Sequence, residues 1–228
     1  MYKSKEAVML RSTRLIMLAL MMLVVGSSCG QKSKPKDAMT NQAEIKPGME
    51  LATFGSGCFW CTEAIFLNVE GVVKVESGYS GGKVKNPTYR EVCSGLTGHA
   101  EVIQVTYDPA VITYDELLEI FWKTHDPTTL NKQGADEGTQ YRSVVFYHNE
   151  QQKNLAEAYK KKLTEVQAFD KPIVTEITAF SNFYKAEDYH QNYFALNGSA
   201  PYCSFVIQPK VDKFKKVFKT KLKKEVQH

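Results

Sequence analysis

The sequence predicts an α+β sandwich, and three observations carry that prediction. Strand-length runs rich in valine, isoleucine, tyrosine and phenylalanine recur along the chain. Stretches with helical spacing of apolar residues interrupt them. The 228 residues, 43% of them hydrophobic, suffice to bury one real core, and no internal repeat or low-complexity tract points to a different architecture.

Taken in order, the first segment is a processing signal. Lys3, Lys5, Arg11 and Arg14 precede the apolar run Leu15 to Val25, and the small residues of "GSS" lead to Cys29. That run is short for a permanent membrane span. Residues 1–28 are therefore expected to be a signal peptide. Residues 29–48 contain the polar "QKSKPKDAMTNQAEIKPG", with two prolines and no sustained period, and are expected to form a flexible tether. The folded domain is expected over 49–212.

Within it, strands are expected at "ELATFGS", "VVKVESGYS", "AEVIQVTYDP", "RSVVFYH", "IVTEITAF" and "SFVIQPKV". Helical spacing occurs in "CTEAIFLNV", "TYDELLEIFWKTHD", "NEQQKNLAEAYKKKLTEVQ" and "KAEDYHQNYFALN". Thr113 and Glu116 form a capping-box signature ahead of the second of these. The end, "PKVDKFKKVFKTKLKK", sets Val211, Phe214, Val217 and Phe218 on one face with lysines opposite, so residues 213–228 are expected to form a basic amphipathic helix and tail.

The formal charge of +4 comes from 29 basic and 25 acidic residues, with the excess gathered near the two ends. A solvated basic face accounts for that pattern, and nucleic-acid binding is not indicated.

The chemistry centres on "TFGSGCFWCTEAIF", where a strand turns into a helix and Phe59 and Trp60 lie between Cys58 and Cys61. A cysteine in a helix's first turn feels unpaired backbone N–H groups, which favour the thiolate. Gly55 and Gly57 allow a close approach from strand to helix and leave the backbone near Cys58 open to a ligand. Three readings compete. A zinc half-site needs two more convergent ligands, and Cys93 and Cys203 stand isolated, so no metal is expected. A thioredoxin-like dithiol fits the spacing, but here the tryptophan lies between the cysteines rather than before them. A nucleophilic thiol beside rings that hold a substrate methyl group accounts for the whole stretch best. Cys93, with Val92 and Leu96 nearby, is expected to be a buried, inert thiol.

The stretches "GCFWCTEAIF", "SGYSGG", "NPTYREVCSGLTGHAEVIQVTYDP", "QGADEGTQYRS" and "AEDYHQNY" together resemble peptide methionine sulfoxide reductase A, which acts on the S epimer. The resemblance runs in order through essentially the whole domain. It implies the two-layer α/β sandwich of that family, ferredoxin-like in type, and reduction of methionine S-sulfoxide, free or in oxidised proteins. By matching position it makes Cys58 the nucleophile that becomes a sulfenic acid, Glu101 the acid, and Tyr89 and Tyr141 the hydroxyls that grip the sulfoxide oxygen. Phe59 and Trp60 match the wall for the substrate methyl group, and Asp136 matches a substrate-side acid. His190 also falls in a family motif, but a helix histidine is more often structural, and it is assigned no catalytic part.

A sulfenic acid must be resolved by a second thiol, giving a disulfide that an external dithiol reduces. Cys203, after the irregular "LNGSAPY", is the first candidate, and the resemblance agrees, since family members carry resolving cysteines near this end. Cys61 stands where many relatives have glycine, and is the second candidate, as resolver or relay. No bound cofactor is expected, only a thioredoxin-like reductant. "VGSSCG" resembles a bacterial lipoprotein cleavage box, with Gly26 where that pattern prefers leucine, which implies a lipid on Cys29 and an exported, membrane-anchored enzyme of the cell envelope. The rival classes are a non-catalytic lipoprotein that binds metal or a partner at the cysteines, and a general disulfide oxidoreductase.

Overall fold

The computed structural model describes residues 46–224; the expected signal peptide, Cys29, most of the tether and the last residues of the tail lie outside the described residues. Among the described residues eight strands are formed: β1 (Glu50–Ser56), β2 (Val72–Ser80), β3 (Ala100–Tyr107), β4 (Lys132–Gln133), β5 (Asp136–Glu137), β6 (Ser143–Tyr147), β7 (Glu176–Ala179) and β8 (Tyr184–Lys185). Six of them make one sheet in the order β7-β6-β1-β3-β2-β8, while β4 and β5 pair as a small separate hairpin. Only the β6–β7 pair is parallel within the six-stranded sheet, and a helix makes the crossover that such a pair needs.

Strand alternation sorts the core. Ala52, Phe54, Ile103, Val105 and Val145 are fully buried on one face, with Ala52 opposite Val105 and Phe54 opposite Ile103. Ala100, Val102, Val144 and Phe146 point the other way and are covered by Phe180 and Phe183. A one-residue slip of β3 would exchange these sets, so the register is fixed by both faces at once. Burial of each large apolar side chain here contributes roughly 1.5–3 kcal/mol.

The helices are α1 (Phe59–Phe66), α2 (Tyr89–Cys93), α3 (Tyr114–Thr124), α4 (Glu150–Glu165), α5 (Tyr193–Leu196) and α6 (Gln208–Val217). α1 lies against β1, β2 and β3. α3 begins where the capping box was expected: Thr113 Oγ1 accepts from Glu116 N, and Glu116 Oε2 accepts from Thr113 N. A second such box, Thr88 with Glu91, opens the short α2.

Three expectations are corrected. "SFVIQPKV" is not a strand: Cys203–Ile207 is a π-helical turn that leads into α6. Cys203, Ile207, Val211, Phe214 and Phe218 are all buried, which is a helical stripe, and Pro209 falls in the first turn of α6, where a missing N–H costs little. Val217, expected on the buried face, is 56% exposed because it lies off that stripe. "KAEDYHQNYFALN" is not one helix but a 3-10 turn at Asp188–His190 followed by α5; Asn192, in the left-handed region at φ 51°, separates them.

Candidate active site

Glu101 shares the parity of Ile103 and Val105, so β3 delivers it to the helix-bearing face, directly opposite Tyr79 of β2. There it is 1% exposed, and its Oε2 accepts a hydrogen bond from the backbone N–H of Phe59 at 3.1 Å, in the first turn of α1. Its other oxygen, Oε1, is buried without a partner in the described structure. Burial pushes the carboxyl up to about 8, against the Phe59 N–H, with Asp136 and Cys61 adding to the rise. At neutral pH this is a protonated acid with a free oxygen.

Cys58 is the N-cap of α1 and is 8% exposed. Gly57 reaches it at φ +92°, and a Cβ at that position would lie 2.6 Å from the Gln133 side chain. The glycine does permit a tight turn, but the space beside it is filled by Gln133 rather than left open to a ligand. A side chain on Gly55 would meet Val144 Cγ1 at 2.8 Å and the Glu101 carbonyl at 3.0 Å, so that glycine lets the strand carrying the acid close up.

The ionisation of Cys58 is tied to that of Cys61. Its hydrogen bond with Cys61 first, then burial and the neighbouring Glu101, hold the Cys58 thiol well above its ordinary value. Cys61, one helical turn on, is lowered to about 7, first by the hydrogen bond from Cys58, with burial opposing and Lys210 and Tyr202 helping. The two sulfurs form one acid pair that shares a proton across their hydrogen bond. Helix-end electrostatics alone did not foresee this because they treat each sulfur separately.

The rings are assembled as expected in part. Phe59 is 1% exposed and forms the floor of the site, packed on Tyr79, Tyr89 and His190 with ring centroids 5.9, 6.5 and 5.1 Å away. Trp60 is half-buried and stacks on Tyr193 at 3.7 Å. Tyr89, at the start of α2, and Tyr141, in the 3-10 turn Thr139–Tyr141, are both half-buried. Burial, and then the nearby Glu101, raises both phenols, so they are hydrogen-bond donors across the working pH range. Asp136, in β5, accepts from the Tyr202 hydroxyl at 2.7 Å.

Cys203 is completely buried, next in sequence to Tyr202, whose hydroxyl lies 4.0 Å from Cys61 Sγ. The Cys203 thiol is raised by burial first and then by the charge on Cys61. Cys93 is exposed, contrary to expectation, because Val92 is the only residue of the five in α2 that turns fully inward. Among the described residues no three or more His, Cys, Asp or Glu side chains converge as metal ligands.

His190, expected to be structural, does brace the rings, while Glu187 and Tyr202 were missed. His190 is 1% exposed; its Nδ1 accepts from Trp60 Nε1–H at 3.1 Å, and its ring lies 4.4 Å from that of Tyr89. Burial lowers its basicity, so it is a neutral ring with the proton on Nε2. Glu187 braces the floor, accepting from Tyr79 Oη and from the backbone N–H of Tyr89, each at 2.9 Å. Both residues lie in "AEDYHQNY", so the signal was present. Tyr202 gave no sign apart from its place beside Cys203.

These features can be set beside known proteins. Residues 50–222 match the family model described as peptide methionine sulfoxide reductase. The enzyme of that name from Sulfolobus acidocaldarius is 58% identical over 177 residues, spanning 76% of this chain and 97% of its own. The one from Leptospira borgpetersenii is 56% identical over 174 residues, 76% of this chain and 98% of that one. Among solved structures, reduced Mxr1 from Saccharomyces cerevisiae aligns with a TM-score of 0.65 at 36% identity, covering 72% of this chain and 95% of that chain. Methionine sulfoxide reductase A of Corynebacterium diphtheriae gives 0.61 at 38% identity, over 68% and 78%. With the acid, the paired thiols and the ring-lined floor all lying inside the matched span, the chain belongs to the peptide methionine sulfoxide reductase family and is an oxidoreductase.

Proposed function

We propose that the protein reduces the S epimer of methionine sulfoxide, free or in oxidised proteins, by the following sequence. The observation that carries the reading is Glu101: a buried, protonated carboxyl with one unpartnered oxygen, beside Cys58 and two phenols. A sulfoxide oxygen is an acceptor that gains basicity as its bond to sulfur breaks, and this cradle supplies two neutral donors and one proton. Phe59 and Trp60 hold the methyl group, and Asp136 with Tyr202 faces the rest of the substrate.

Cys58 first passes its proton to the Cys61 thiolate, which is hydrogen-bonded to it. The Cys58 thiolate then attacks the sulfoxide sulfur while Glu101 protonates the oxygen. The oxygen ends on Cys58 as a sulfenic acid; the cysteine is oxidised by two electrons, the sulfoxide is reduced to the thioether, and methionine leaves. The Cys61 thiol attacks the Cys58 sulfur, water departs, and a disulfide forms. Cys203 then attacks the Cys61 sulfur and frees Cys58. This order is supported by the position of Cys61, which shares a proton with Cys58 and whose charge is felt at Cys203. An external thioredoxin-like dithiol, with no bound cofactor, closes the cycle.

One experiment tests this. The full chain is given one equivalent of methionine S-sulfoxide without reductant, and methionine and disulfide-linked peptides are measured. One methionine per chain and a Cys61–Cys203 link are expected, with Cys58–Cys61 the product in Cys203→Ser. A Cys58→Ser chain that still forms methionine overturns the reading. A Cys58–Cys203 link in Cys61→Ser at the full rate would remove Cys61 from the path. Insulin disulfide reduction without sulfoxide turnover would favour the oxidoreductase alternative.

The charged and apolar start of the chain, ending in "VGSSCG", supports export, lipid attachment at Cys29 and a place in the cell envelope. Fatty-acid labelling that persists in Cys29→Ser would remove the anchor from the proposal.

A further inference from the structure

Tyr89 is the first residue of α2, a helix of 5 residues, and a helix that short does not hold its own orientation. Its capping box, Thr88 with Glu91, lies within the same segment and ties it to nothing else, while burial of Val92 anchors it at one point. Glu187 supplies the missing constraint from 98 positions further along the chain. Its Oε1 accepts from the backbone N–H of Tyr89, and its Oε2 accepts from the Tyr79 hydroxyl. Tyr79 is completely buried on β2, directly opposite Glu101 of β3. The carboxylate thus stands one hydrogen bond from the residue that faces the acid and one from the backbone that carries the phenol. Its own segment is fastened to the same strand: Ala186 N donates to Ser77 O at 2.9 Å, and the Gln191 amide accepts from Ser77 N at 3.0 Å and donates to Ser77 O at 2.9 Å.

We propose that Glu187 is a positioning residue for sulfoxide reduction: by locking the start of α2 to β2, it sets the Tyr89 hydroxyl and the Glu101 proton in one rigid frame around the sulfoxide oxygen. This rests on the proposed part of Tyr89 as a donor to that oxygen. Both oxygens of Glu187 are engaged as acceptors, so it carries no proton to give and takes no direct part in the chemistry. What it supplies is aim. A donor stabilises developing charge only within hydrogen-bond reach of the place the oxygen takes in the transition state, and a displacement of about 1 Å can cost about 10²-fold in rate. A carboxylate suits the task because its two acceptors serve two donors at once, one on each of the elements to be joined. The contact of Phe59 with Tyr79 and the stacking of Trp60 on Tyr193 do not run through Glu187, so the wall for the methyl group should stay when it is removed.

The test is single-turnover methionine formation by the full chain, followed against the concentration of methionine S-sulfoxide. Glu187→Ala should lower the limiting rate about 10- to 30-fold while the half-saturating concentration changes by less than about three-fold. Glu187→Gln should restore the rate to within about three-fold of the wild type, since its amide oxygen can accept from Tyr89 N–H and its amide nitrogen can donate to Tyr79 Oη. Glu187→Ala combined with Tyr89→Phe should be no slower than Tyr89→Phe alone, to within about three-fold, because an absent hydroxyl cannot be misaimed. Rate losses that multiply in the double variant overturn the inference, since a residue that only supports the fold acts independently of that hydroxyl. So does a Glu187→Ala chain with the wild-type limiting rate, or a Glu187→Gln chain as slow as Glu187→Ala, which would make the charge matter rather than the tether. If Glu187→Ala does not fold, Glu187→Asp, one methylene shorter in reach, goes through the same pairing with the same two outcomes. A Tyr89→Phe chain as fast as the wild type would instead overturn the proposed grip on the sulfoxide oxygen, and the inference with it.

Discussion

Replacing Glu101 with glutamine should make the protein more stable and a much poorer catalyst, and the stability gain should depend on pH. The carboxyl lies near 4.5 in its ordinary state and is raised to about 8 here, so between those values the folded chain binds a proton that the unfolded chain releases. The sign follows directly. A raised carboxylate value means stability is lost as pH climbs from 4.5 to 8, and at about 1.4 kcal/mol per pH unit the loss by pH 7 is about 3 kcal/mol. Glutamine can keep the acceptor for Phe59 N–H and removes the titration, at the expense of one more buried N–H donor costing about 1–3 kcal/mol. The variant should therefore gain on the wild type by about 4 kcal/mol between pH 4.5 and pH 8, measured by urea denaturation at several pH values. Methionine formation in a single turnover should fall by about 10²- to 10³-fold, and its decline above pH 8 in the wild type should vanish. A stability difference that stays flat from pH 4.5 to 8 would refute the reasoning, because Glu101 would then be ionised in the folded protein.

Three further outcomes are expected. In Cys61→Ser, the ionisation expected near pH 7 for the cysteine pair should disappear from the iodoacetamide alkylation profile; an unchanged profile would place that charge elsewhere. Tyr89→Phe and Tyr141→Phe should each slow sulfoxide reduction by about 10²-fold at nearly unchanged KM, read by product formation under saturating dithiothreitol, and the double variant should lose less than the product because both donors serve one oxygen. Phe214→Ala should destabilise the fold by about 3–5 kcal/mol in urea denaturation, since that ring is 1% exposed between α6 and the sheet-side core.

The sheet was legible where alternation was clean. "AEVIQVTY" repeats its faces strictly enough to place Glu101 with Ile103 and Val105. The end of the chain was harder, because "SFVI" has strand composition and Pro209 looks like a boundary. The stripe from Cys203 to Phe218 becomes visible only when spacing is followed through the proline. At the site, the motifs located Cys58, Tyr89, Glu101 and Tyr141 because each lies in a distinctive local string. What local strings do not carry is coupling. That Glu187 and His190 brace the rings from a distant loop is a property of contacts between segments far apart in sequence. Cys93 illustrates the same gap, since apolar neighbours do not say which side of a five-residue helix meets the core.

The strand that carries Glu101 sits between β1 and β2, near the middle of the sheet, whereas Cys203 rides on a single irregular turn close to the end of the described chain. In the proposed cycle, protons are handled from the middle of the sheet and the last disulfide from a separate buried helical turn. Such a division lets the electron-delivery arrangement be rebuilt, by moving a cysteine or trading one reductant for another, while the geometry that recognises the sulfoxide stays untouched.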